Sequence, residues 1–183
     1  MRLYHVSDQS GIRLFEPRPA PYLGADVEGN VVWAVDDDHL HNYLLPRDCP
    51  RVTFYAAKHS DPTDVERLIG PGGARYVVAI ESHRLPEIQQ QHLYKYELDP
   101  SDFTVFDEGA GYYVSHRPVK PLYENPINDI LGALLERDVE LRIMACLWEL
   151  REAVIHSTLQ FSIIRMKNAR PPQEGIEAFH PLP

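Results

Sequence analysis

The chain predicts a single α+β domain with short helices flanking a mainly antiparallel, partly split sheet. Three observations carry that reading. Sixteen prolines and ten glycines in 183 residues interrupt the chain too often for long helices. Between them lie short β-branched and aromatic runs separated by turn residues, the spacing of a meandering antiparallel sheet. Apolar residues keep a sustained helical period in only two stretches, 127–137 and 147–158.

Taken in order, Leu3-Tyr4-His5-Val6 is a strand closed by the turn residues Ser7 to Gly11. Phe15 to Pro21 holds three prolines, which lack amide donors and fix φ, so it is an extended loop. Asn30 to Val35 suits a buried strand. Asp36-Asp37-Asp38 then stands where carboxylates cap a helix N-terminus, and the helix should run from His39 to Leu44 until Pro46 and Pro50 stop it. Arg51 to Ala56 alternates as a strand does. The stretch from Lys58 to Gly73, with a short helix at Asp64–Ile69 and the run Gly70-Pro71-Gly72-Gly73, reads as an exposed excursion. Strands are expected again at Tyr76–Ile80, Leu93–Glu97, Thr104–Phe106 and Tyr112–Val114. Another, Val139–Met144, lies between the two helical stretches, and a last one is expected at Leu159–Arg165. Leu131, Leu134 and Leu135, and likewise Leu147, Leu150 and Val154, form the buried helix faces, with Trp148 and Phe161 assigned to the core. One globular domain over 1–169 and a proline-rich tail over 170–183, poorly ordered unless it docks, complete the plan.

Composition narrows the function. With 44% hydrophobic residues the length suffices for one core. Mean hydropathy is −0.34 and no apolar run approaches the ~18–20 residues of a bilayer span, so no membrane association is expected. The opening MRLYHVSDQS has no export-type apolar region, which places the chain in the cytoplasm. Cys49 and Cys146 are too few for a disulfide framework. A net charge of −9 and a pI near 5.4 lack the basic footprint of a nucleic-acid binder.

Candidate site residues come first from local chemistry. Pro46-Arg47-Asp48-Cys49-Pro50-Arg51 sets two guanidinium groups on a constrained loop, where Arg47 and Arg51 could clamp a pyrophosphate or carboxylate; structural salt bridges explain them nearly as well. Arg18 and Arg165 are further anion candidates. Cys49 has flanking arginines but no evident base, which ranks it low as a nucleophile. His39 and His41, at i and i+2 on a helix, diverge by about 200° and cannot chelate together, so no metal is expected. Phe15, Tyr22, Trp33, Tyr112 and Tyr113 could stack a planar base, or pack the core.

The motifs LYHVSD, VWA, PRDCPR, DEGAGYYV, ELRI with LW, and FSIIRM resemble, nearly end to end, an uncharacterised bacterial family. More distantly, a strand bearing Tyr4-His5-Val6-Ser7, a proline-rich loop, the strand Val32-Trp33-Ala34-Val35 and a following helix with a tyrosine are similar to ADP-ribosyltransferase-like proteins. That resemblance implies an ADP-ribosyltransferase-like fold, NAD as substrate and an unidentified acceptor. It gives His5 a donated hydrogen bond to the adenosine-ribose or nicotinamide region, Ser7 a supporting contact, and Tyr43 a place against the nicotinamide ring. Ser115 to Val119 has no acid before Pro118-Val119, where some such relatives carry one, so Glu108 is the candidate that grips the nicotinamide ribose and stabilises positive charge. Gly109 and Gly111 would let backbone approach the ligand. His5 reads equally as a core histidine, Tyr43 more readily as packing, and Glu108 about equally as a solvated turn. The alternative function is a nonenzymatic module that binds a small anionic metabolite or nucleotide through Arg18, Arg47 and Arg51. The oligomeric state is open.

Overall fold

The computed structural model describes residues 1–19 and 27–172. In chain order the strands are β1 Leu3–Ser7, β2 Val32–Asp36, β3 Arg51–Tyr55, β4 Tyr76–Glu81, β5 Leu93–Leu98, β6 Thr104–Asp107, β7 Tyr112–Ser115, β8 Tyr123–Ile127, β9 Val139–Met144 and β10 Gln160–Ile164. The α-helices are short: α1 Pro62–Asp64, α2 Leu85–Gln90, α3 Ile130–Leu135 and α4 Trp148–Ile155. The fold is α+β, with mostly antiparallel sheets and a few short helices. By its contacts the chain forms two compact units, one of Met1–Arg47 with Pro86–Val139, the other of Asp48–Leu85 with the chain from Glu140 onward.

The first unit is built on a six-stranded sheet in the order β6-β7-β2-β1-β5-β8, antiparallel throughout. Strand β1 pairs with β5 over five residues, from Leu3↔Leu98 to Ser7↔Tyr94. With β2 it pairs over only two, Leu3↔Asp36 and Tyr4↔Val35. From His5 onward the two strands part, and this fork splits the sheet. Leu3, Val32, Ala34, Tyr96, Leu98 and Tyr113 pack one face together with Phe15 and Val119. Those last two exchange a pair of backbone hydrogen bonds at 2.8 and 3.0 Å.

The expected helix over His39–Leu44 is a single 3₁₀ turn, Leu40–Tyr43, because Pro46 leaves no room for a second turn. Strand β8 carries no alternating apolar pattern: it is an exposed edge, and only there is Pro126 tolerated opposite Tyr94. Helix α3 starts later than the pattern suggests, at Ile130, where Asp129 accepts the Gly132 N–H at 2.9 Å. Leu134 is buried, but Leu135, about 100° further round the helix, leaves the buried face and is 66% exposed. Helix α2 begins with Leu85-Pro86, placing the proline in a first turn where its missing N–H costs nothing.

The second unit holds a four-stranded sheet, β10-β3-β4-β9, antiparallel at β10–β3 and β3–β4. Val52, Phe54, Val77 and Ala79 face Leu147, Leu150, Val154 and Leu159 in its core. The 58–73 excursion belongs to this core too. After α1 the chain continues as one π-helical turn, Val65–Ile69, which buries Leu68 and Ile69. Their carbonyls are taken up by the Arg142 guanidinium at 2.8 and 3.5 Å. Phe161, assigned to the core from sequence, is 46% exposed: it sits opposite Phe54 but on the edge strand β10, with no strand beyond it. Of the tail, 173–183 lies outside the described residues. Its first residue is docked, since the Arg170 N–H donates to both oxygens of the fully buried Glu81 carboxylate, and its carbonyl accepts the Trp148 indole N–H at 2.7 Å.

Phe54→Ala should lower the unfolding free energy by about 3–5 kcal/mol, and Phe161→Ala by less than about 1.5 kcal/mol. Urea titrations of both variants check this: equal losses would show that β10 packs its ring as deeply as β3 does.

Candidate functional site

The fork between β1 and β2 determines what happens at His5. Strand β2 still pairs with β7 at Trp33↔Val114, so the Trp33 carbonyl on the β1 side has lost its ladder partner. The His5 imidazole takes that place, with Nδ1 at 2.9 Å from the Trp33 oxygen. A carbonyl oxygen only accepts, so Nδ1 carries the proton and Nε2 presents a lone pair. The donor role that the family resemblance implies for His5 is therefore reversed at Nε2, which accepts. The ring lies 4.7 Å from Phe15, itself edge-on to Tyr96 at 5.2 Å. Burial, and after it the positive charges of Arg47 and Arg18, hold the imidazole below its ordinary pKa, outweighing the Trp33 carbonyl. The same influence places both guanidinium groups in the electrostatic neighbourhood of His5.

Arg18 is anchored by its backbone, with two hydrogen bonds to Val31 at 3.0 and 2.9 Å, and leaves its side chain exposed. Arg47 is exposed too, four residues beyond Tyr43. Ser7 Oγ accepts the Gln9 N–H at 3.1 Å and closes the turn that ends β1. Arg51 belongs to the second unit. It is 2% exposed, and it donates to the Cys49 carbonyl at 2.9 Å, so it serves as an internal brace rather than an exposed anchor. Cys49 is fully buried.

Tyr43 and Trp33 meet through Tyr112. The Tyr43 hydroxyl donates to that of Tyr112 at 2.6 Å, and Trp33 lies edge-on to Tyr112 at 6.0 Å and to Phe106 at 5.1 Å. The Trp33 indole N–H is buried and has no acceptor among the described residues. Tyr22 lies outside the described residues.

Glu108, Gly109 and Gly111 form the turn between β6 and β7. Glu108 is exposed. Burial chiefly, and then Asp36 and Glu108, raise the Tyr113 phenol above its ordinary pKa, which places the Glu108 carboxylate near the Asp36 end of β2. Gly111 has φ +67, and a Cβ there would overlap the His39 ring and the Asp36 carboxylate. The close approach that this glycine permits is thus to Asp36 and His39. Asp36 Oδ1 accepts both the backbone N–H of His39 at 2.9 Å and its Nδ1–H at 2.8 Å. Reading Asp36–Asp38 as a helix cap found the first of these bonds and missed the second. Aspartate three residues before histidine, where a strand ends in a turn, was the available signal.

The sequence-derived residues thus gather in three groups along the first unit: His5 with Arg18 and Arg47, Trp33 with Tyr43 through Tyr112, and Glu108 with Gly109 and Gly111 beside Asp36. Strands β1 and β7 are separated only by β2, a lateral distance of about 10 Å. Among the described residues, no three His, Cys, Asp or Glu side chains are arranged to hold a metal. No helix among the described residues is long and apolar enough to cross a membrane.

The depressed His5 pKa fixes a sign. Below pH ~6.5 the unfolded histidine takes up a proton that the folded imidazole resists, so stability falls as pH falls through that value; above it the group contributes no pH dependence. Between pH 7.5 and 5.5 the His5→Gln variant, whose amide can still donate to the Trp33 carbonyl, should lose less stability than the parent, by up to about 1.4 kcal/mol per pH unit. Chemical denaturation at several pH values measures this. Parallel curves would place an ordinary histidine at position 5.

No curated protein and no solved structure matches the chain. A family model matches residues 4–169 and so spans both compact units. The chain accordingly belongs to that family, described as a family of unknown function, DUF6886.

Proposed function

We propose that the first unit binds NAD at the fork of its sheet and acts as an ADP-ribosyltransferase-like enzyme on an unidentified acceptor. The observation that supports this reading is the fork itself: a gap between two strands of one sheet, holding a neutral imidazole with Arg18 and Arg47 close by. Adjacent cations favour a pyrophosphate, to which guanidinium forks bind bidentately. The His5 Nε2 lone pair accepts from a ribose hydroxyl, and the Trp33 indole N–H offers a donor to a nearby carbonyl or hydroxyl.

In the reaction, the C–N bond between ribose and nicotinamide breaks and nicotinamide leaves with the bonding pair. The anomeric carbon gains positive charge, which the Glu108 carboxylate stabilises more strongly than an amide would. The acceptor, or water in the hydrolytic side reaction, then bonds to that carbon and releases its proton.

The cationic pair beside His5 also supports a second reading, in which the module binds a small anionic metabolite or nucleotide without turnover. One set of measurements separates the two. NAD should raise the melting temperature, by the equivalent of about 2.7 kcal/mol at one hundred times Kd, and Arg47→Ala should abolish most of the shift. Nicotinamide release, followed chromatographically, should be lost in Glu108→Gln while the NAD-induced shift persists. Stabilisation without nicotinamide release would leave only the binding reading, and the absence of any shift would end both.

A further inference from the structure

The first unit contains a second recess, on the face of β5 opposite His5. Along β5, Tyr96 lies opposite His5 and shares its face, while Lys95 points to the other side. There the register sets Lys95 directly across from Asn125 of β8. Strands β5 and β8, the 3₁₀ turn at Leu40–Tyr43 and helix α3 line a half-open recess of about 390 Å³, with Asn125, Asp129 and Glu136 exposed at its rim.

The polar lining sorts into committed and uncommitted groups. Arg137 is committed: it donates to the carbonyl of Asp37 and, at 3.2 Å, to its carboxylate. The Asp129 charge is not committed: one oxygen accepts the Gly132 N–H, but no cation faces it among the described residues. Nor is Lys95 committed, since its ammonium lies over the Tyr4 ring at 5.0 Å and has no carboxylate partner among the described residues. Glu136, on the opposite wall, has no cationic partner among them either. One unpaired cation and two unpaired carboxylates, Asp129 and Glu136, therefore line one recess with no ion pair between them. Leu40, Leu44, Pro126, Ile127 and Ala133 supply its apolar wall, and Asn128 a further polar group.

We infer that this cavity binds an aliphatic α-amino acid: the carboxylate sits on Lys95 and the Asn125 amide, the ammonium faces Glu136, and the side chain rests on the leucines and Ile127. A simple anion would leave Glu136 unpaired beside it, and a simple amine would do the same to Lys95. A zwitterion satisfies both, which makes charge pairing the basis of selectivity.

The test uses isothermal titration of the full chain with three isosteric probes: leucine, 4-methylpentanoate and isopentylamine. Leucine should bind at least tenfold more tightly than either singly charged analogue. Lys95→Met should weaken leucine binding at least tenfold. Glu136→Gln should weaken leucine while tightening 4-methylpentanoate, a reversal that a merely misfolded variant cannot give. Circular dichroism melts confirm that each variant is folded, and Asn125→Leu serves as a second, uncharged lesion of the same wall. No heat with leucine at millimolar concentration, equal affinity for leucine and either analogue, or leucine binding unchanged in Lys95→Met would each overturn the assignment.

Discussion

The interaction on which the first unit depends is the hydrogen bond from His5 Nδ1–H to the Trp33 carbonyl. Strand β1 is fully paired to β5 and only half paired to β2, so the sheet must satisfy the backbone groups that the fork exposes. A buried carbonyl left without a donor costs about 1–3 kcal/mol. The imidazole supplies that donor with a ring wide enough to cross the gap, and Phe15 and Tyr96 fix its plane. One side chain thereby satisfies the backbone at the point where the ladder stops and the sheet splits. The cost of this arrangement falls on protonation: a charged imidazole, buried and near two guanidinium groups, is disfavoured, so the residue that closes the fork is also the one that resists acid.

The other end of β2 is held by a different device with the same logic. Past Asp36 the chain must turn into a 3₁₀ turn with no side-chain cap of its own, and the Asp36 carboxylate does the work of one, accepting from the backbone and ring of His39. Gly111 then closes over the pair, its N–H taken by Glu108 and its carbonyl accepting the Asp36 N–H at 3.0 Å. The β6–β7 turn and the end of β2 are thus one hydrogen-bonded assembly. That places Glu108 by backbone geometry rather than by side-chain packing, and leaves its carboxylate exposed.

Much of this was legible from residues. Nine of the ten strands among the described residues follow from β-branched and aromatic runs, most of them buried on at least one face. Strand β8 is not written that way: Tyr123, Glu124, Asn125 and Pro126 are exposed, so its pairing to β5 left no hydrophobic trace. The Lys95–Asn125 juxtaposition that follows from the pairing was equally hidden. Phe161 and Leu135 mark the opposite failure, since periodicity predicts which face a residue takes but not whether that face is covered. For the candidate site, residue types pointed to His5, Arg18 and Arg47. The tautomer of His5 was not readable, because it depends on a carbonyl 28 positions away whose ladder partner is missing.

Charge balance gives these positions their meaning. In a chain with 27 acidic and 18 basic side chains, a cation should find a carboxylate more easily than a carboxylate finds a cation. Arg2 and Arg137 both lie against Asp37, Arg67 against Asp64 and Arg142 against Glu140, as that excess predicts. Lys95, like Arg13, Arg18, Lys58 and Lys120, has no carboxylate partner among the described residues; what sets it apart is its place in a recess. Its ammonium rests on an aromatic face inside a recess while acids stand elsewhere on the same lining, and the Coulomb energy of a direct ion pair is not recovered there. Exposed ion pairs contribute little, so folding alone does not require that recovery. A cation in a half-open recess keeps its hydration, so standing apart from acids costs the fold little. A ligand that brings its own carboxylate converts the separation into affinity, and the neighbouring unpaired acids decide which ligands can do so.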